Sequence, residues 1–97
     1  MIRHCVTFRF REGTPAESVE ALREALTALP ATISEIEGYW CGPDLGLRDT
    51  NVDFAVVADF ADEAGFLAYA GHPDHQAVIR DLVEPITAER NALQFSC

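Results

Sequence analysis

Two stretches of this chain alternate residue by residue, and they restrict its fold more than any other feature. Ile2, His4, Val6, Phe8 and Phe10 fall on one side of the first, with Arg3, Cys5, Thr7, Arg9 and Arg11 on the other. In the second, Val52, Phe54, Val56, Ala58 and Phe60 oppose Asp53, Ala55, Val57 and Asp59. A period of two with one wholly apolar side requires strands that bury one face, so the chain needs a sheet with something packed on it. With 97 residues, 48% of them hydrophobic, there is enough apolar surface for one core and little to spare, and residues 1–97 are read as a single domain.

Helices supply the cover. Thr14-Pro15-Ala16-Glu17 reads as a capping box with Thr14 as N-cap and Pro15 at the first helical position. Val19, Leu22, Leu26 and Leu29 then form an inward stripe that Pro30 ends. Tyr39-Trp40-Cys41 has strand composition, but Gly42-Pro43 makes that strand short, bulged or an edge. Asp62 is placed to cap a helix carrying Phe66 and Tyr69, which Gly71 terminates. A further helix is expected from Pro73 to about Glu84 and a last strand over Asn91 to Cys97. The order strand, helix, strand, strand, helix pair, strand predicts an α+β, ferredoxin-like βαββαβ protomer: a four-stranded antiparallel sheet with its helices on one face.

That plan leaves Cys5, Thr7, Ala55 and Val57 on a face with no cover, and a second copy of the chain is the expected partner there, a homodimer through the sheet. Arg9 and Arg11 share the face with Asp53 and Asp59, so opposite charges are expected to pair across it. The formal charge of -9, from sixteen carboxylates against seven Lys and Arg, argues against nucleic acid as a partner. No apolar run approaches the roughly 18 residues of a membrane span, and the first residues read as a strand rather than a signal peptide, so a cytoplasmic protein is expected. Cys5, Cys41 and Cys97 are few and far apart, as suits reduced thiols rather than a disulfide framework.

Titratable and aromatic chemistry gathers around the Gly71-His72-Pro73 break. His75 precedes Val78 and Ile79 by three and four residues and shares their inward stripe. An imidazole near a helix N-terminus is biased toward its neutral form, so His75 is the candidate general base. Tyr69 combines a packing ring with a hydroxyl that reaches a ligand or His75. His72 shapes the junction or adds to the site, His4 lines the same cavity from the sheet beside Val6 and Phe8, and Trp40 is a candidate wall. No third ligand accompanies His72 and His75 at metal-binding spacing, so no metal is expected.

The segments His4-Cys5-Val6-Thr7-Phe8-Arg9-Phe10, Gly42-Pro43-Asp44-Leu45-Gly46, Asp53 to Phe60 and Tyr69-Ala70-Gly71-His72-Pro73-Asp74-His75 resemble, in order and over the whole chain, the stress-responsive A/B barrel domain. The resemblance implies that two ferredoxin-like protomers join their sheets as a dimeric α+β barrel. The family includes a plant polyketide cyclase that closes a ring by intramolecular aldol condensation without a cofactor. Its base, the last histidine of His-Pro-x-His, and its assisting tyrosine match His75 and Tyr69. Phe54 stands where the cyclase has a histidine on the third strand, and Leu26 or a neighbour where it has a helix tyrosine, so with Val56 the pocket is more apolar here. The expectation is a homodimer whose pocket binds a small carbonyl or aromatic compound, as a cofactor-free cyclase or isomerase with His75 as base. The alternatives are a noncatalytic small-molecule-binding or stress-response protein, and a cofactor-independent monooxygenase.

Overall fold

The computed structural model describes residues 1–97. Four strands, β1 (Ile2–Phe10), β2 (Ile36–Pro43), β3 (Phe54–Phe60) and β4 (Thr87–Ser96), form one sheet in the order β2-β3-β1-β4, with every neighbouring pair antiparallel. The two strictly alternating strands take the centre, where one face must be apolar throughout. The strands carrying Gly42-Pro43 and Glu89-Arg90 lie at the edges, where a missing donor and charges are tolerated.

Helices α1 (Ala16–Ala28), α2 (Glu63–Gly71) and α3 (Pro73–Val78) accompany the sheet, with α2 packing against β1, β2 and β3. Their apolar sides meet His4, Val6 and Phe8 of β1 and Phe54, Val56, Ala58 and Phe60 of β3, all buried. Phe54, Phe60, Leu22 and Ile33 are the largest fully buried side chains and centre the core. This is the ferredoxin-like arrangement expected from the order of elements.

Three local expectations need correction. Thr14 does not cap α1: its hydroxyl donates back to the Arg11 carbonyl oxygen at 2.6 Å, within a turn that uses Gly13 at φ 82°. Pro15 stays extended, with ψ 145°, and is the N-cap, so the helix starts at Ala16. The helix after Pro73 does not continue to Glu84 as one α-helix. It becomes a π-helical turn over Ile79–Val83, closed by the Glu84 amide donating to the Ile79 carbonyl oxygen at 2.9 Å. Across the open face the charges pair differently: Arg3 makes the bidentate bond to Asp59, at 2.8 and 2.9 Å, because the two are direct register partners. Arg9 lies 3.8 Å from Glu89, and Asp53 accepts from the Phe10 amide.

By contrast, Asp62 caps α2 as expected, its carboxylate accepting from the Gly65 amide at 2.9 Å. The edge position of β2 also agrees with the sequence, although the strand runs through Gly42-Pro43 and its bulge lies between Ile36 and Gly38 instead.

Candidate functional site

Between the sheet and the α3 segment lies a cavity of about 50 Å³. The sheet supplies His4, Val6, Phe8 and Val56, α1 supplies Leu26, α2 supplies Tyr69, and α3 with the π-helical turn supplies His75, Ile79 and Val83. Arg90 of β4 completes the wall. The break at His72-Pro73 produces this convergence: α2 stops after Tyr69 has turned inward, and α3 restarts with His75 over it. The two rings stack at 4.1 Å between centroids, tilted by 34°.

Each cavity histidine has its proton placed by a partner. The Nδ1 of His75 faces the Ala70 carbonyl oxygen at 3.3 Å. A carbonyl only accepts, so Nδ1 carries the proton and Nε2 of the neutral ring keeps its lone pair. His4 is the converse: its Nδ1 lies 2.9 Å from the side-chain amide nitrogen of Gln94, which donates, so its proton is on Nε2. The two histidines thus offer one acceptor and one donor.

Both rings are held uncharged. Burial pushes the His4 pKa down to about 4, helped by the positive charge of Arg90 and by His75. Burial also lowers that of His75, against the Ala70 bond that favours the charged ring, with Arg90 and His72 adding to the depression. Desolvation and a neighbouring cation therefore keep His75 ready to accept a proton near neutral pH.

Tyr69 is buried and its hydroxyl lies 2.9 Å from that of Tyr39. Burial raises both phenols, Tyr69 to about 12, and the mutual bond raises Tyr39 while lowering Tyr69. Either hydroxyl can donate in this bond, so each phenol keeps its proton and the pair links β2 to α2 at the edge of the cavity.

Three expected pocket residues are elsewhere. Trp40 lies on the opposite face of the sheet, beside Val57 in the register, and is 56% exposed. His72 is the N-cap of α3, its Nδ1 accepting from the Asp74 amide at 3.1 Å, and so serves the junction. Phe54 is buried but two register pairs beyond Val56, packing edge-on to Phe8 at 6.3 Å without reaching the cavity. Conversely, sequence reading placed Ile79 on the inward stripe without assigning it to the pocket, and did not single out Tyr39, Val83, Arg90 or Gln94. The resemblance to His-Pro-x-His and the i, i+3, i+4 spacing signalled His75, but a lone arginine on an edge strand carries no such pattern.

The family model described as the Stress Responsive A/B Barrel Domain matches residues 2–97. A dimeric ferredoxin-like protein of unknown function from Thermobifida fusca superposes with a TM-score of 0.92 at 46% identity, over 99% of this chain and 90% of that one. A dimeric protein of unknown function and ferredoxin-like fold from Bacteroides fragilis gives 0.86 at 25% identity, over 99% and 95%. A hydroxynitrile lyase from Passiflora edulis gives 0.83 at 19% identity, over 97% and 90%, a likeness of fold. No curated protein matches the chain.

Proposed function

Because the chain belongs to the stress-responsive A/B barrel domain family, its residues 2–97 matching that model, we propose that it is a homodimer that binds a small carbonyl compound in the cavity beside His75 and moves a proton on it without a cofactor. The observation that carries this reading is the pair of opposed tautomers: an unprotonated Nε2 on His75 and Nε2–H on His4 in the same wall, with the Tyr69 hydroxyl beside them. In the reaction the bond from a carbon next to the carbonyl to its hydrogen breaks. The proton passes to His75 Nε2, and the electron pair moves onto the carbonyl oxygen, where a donor holds it. The resulting enolate is the common starting point for isomerisation and for ring closure by aldol addition.

The cavity's dimensions refine the ligand. A benzene ring needs roughly 150 Å³ of dry space, against about 50 Å³ here. The carbonyl end of a ligand is therefore what the cavity receives, and any larger portion extends past Arg90 at the exposed rim. The same tightness favours binding without turnover as the second reading.

The dimer follows from the other sheet face. Trp40, Val57, Cys5 and Leu93 form one cross-strand row there, with Trp40 56% and Leu93 58% exposed. A contiguous apolar row of this kind is best covered by a second copy, and the Thermobifida fusca and Bacteroides fragilis relatives are dimeric.

Proton exchange tests the chemistry without knowledge of the natural substrate. Acetone and hydroxyacetone are incubated with the protein in deuterium oxide, and loss of their α-proton signals is followed by NMR. The wild type should exchange them faster than buffer, and His75→Ala should lose about 10²-fold of that acceleration while keeping its melting curve. Binding of both compounds with no exchange above buffer would select the noncatalytic reading. Neither binding nor exchange would sink both.

A further inference from the structure

On the premise that the cavity is a ligand site, we propose that Arg90 makes it selective for a small organic carboxylate, paired with the guanidinium while the rest of the ligand occupies the apolar wall. The chain has seven basic residues, all arginine, against sixteen Asp and Glu. Arg3, Arg9, Arg23 and Arg80 each hold a carboxylate, of Asp59, Glu89, Glu20 and Asp81 respectively. Arg11, Arg48 and Arg90 hold none, and of these three only Arg90 lines the cavity.

Its position explains what it serves instead. Arg90 lies opposite Phe8 in the β1–β4 register, on the helix-facing side of β4, and lines the cavity with no Asp or Glu beside it there. It is the one permanently charged group in that wall. Its charge lowers the proton affinity of His4, Tyr69 and His75 alike, which places it within electrostatic reach of all three. An anion entering the cavity therefore meets a cation, the Nε2–H of His4 and aliphatic surface, with the lone pair of His75 but no carboxylate against it.

The chemistry narrows the anion. A planar guanidinium matches a carboxylate in a two-pronged hydrogen-bond geometry. The apolar side chains Val6, Leu26, Ile79 and Val83 offer a hydrated inorganic ion nothing but suit a short carbon chain. The net charge of -9 repels anions at a distance, so only close pairing at this side chain holds one. Because Arg90 is solvent-exposed, ligands exchange without opening the core.

Amide-detected NMR titrations with propionate, propionamide and sodium chloride test this. Propionate should move the resonances of the cavity wall with an affinity about tenfold or more above that of propionamide, and chloride should leave them in place. Arg90→Gln should abolish that preference, bringing the acid and the amide to equal affinity, and Arg90→Lys should restore part of it. Equal affinity for the acid and the amide, an unaffected Arg90→Gln protein, or equivalent shifts with chloride would overturn the proposal while the cavity remained a ligand site. If none of the probes moves the cavity resonances, both readings fall together.

Discussion

A protonated His4 has nowhere to put its charge. The ring is buried, with Phe66 at 5.1 Å and Tyr69 at 6.2 Å between centroids, and its one hydrogen-bond partner, Gln94, donates to it. With a folded pKa of about 4 against an ordinary 6.5, the unfolded chain binds a proton that the folded chain refuses throughout that interval. Stability is therefore full above pH 6.5 and falls as the pH drops toward 4, by on the order of 3 kcal/mol from this residue. Urea unfolding across that range should show the loss, and His4→Asn should remove most of the slope; an unchanged slope would mean that His4 is not the group protonated. The inward placement of His4 and His75 was legible because a period of two and a spacing of three and four are dictated by backbone geometry. Trp40 was not, because the bulge between Ile36 and Gly38 disturbs the phase of β2. Arg90 escaped because the helix-facing residues Arg90, Ala92 and Gln94 of β4 are too polar to announce a face.

Among the elements, the two helix starts behave differently although both look capped in sequence. Asp62 is extended, at φ -157° and ψ 179°, and its carboxylate reaches the Gly65 amide. Asp62→Ala should cost about 1 kcal/mol in urea unfolding. Thr14→Ala should cost no more than about 0.5 kcal/mol, since it removes an exposed bond to Arg11 and no helix cap. Equal losses would return Thr14 to the capping role. Pro15 misled the reading because an extended proline before a helix and a helical proline at its first position share one φ; ψ distinguishes them, and sequence does not record it. The π-helical turn over Ile79–Val83 was equally silent, as neither Gly nor Pro interrupts that segment.

For the whole molecule, alternation and element order specified the ferredoxin-like sheet because only one side of each central strand tolerates water. The same reasoning exposed the side that the helices leave bare. Val57 sits within the row Trp40, Val57, Cys5, Leu93, so Val57→Glu should place an unpaired charge in the dimer interface and weaken association by about 3 kcal/mol or more, roughly a 100-fold rise in the dimer Kd. Sedimentation at micromolar concentration measures it, and an unchanged dimer would put the interface elsewhere. Gly38 belongs to the same surface: a Cβ there would stand 2.6 Å from the Trp40 ring, so the indole lies flat only over glycine. The Arg3–Asp59 pair closes one end of the face and matches opposite charges before any partner arrives.

The state of the His75 imidazole decides whether the cavity contains a base, and long-range proton–nitrogen NMR of the 15N-labelled protein reads it directly. The predicted spectrum at pH 7 is that of a neutral ring with its proton on Nδ1 and a bare Nε2, titrating below the ordinary histidine value, whereas His4 shows the opposite tautomer. Addition of a small carbonyl ligand should shift the His75 Nε2 resonance. A charged His75 at pH 7, or a proton on Nε2 rather than Nδ1, would contradict the assignment of this residue as the proton acceptor.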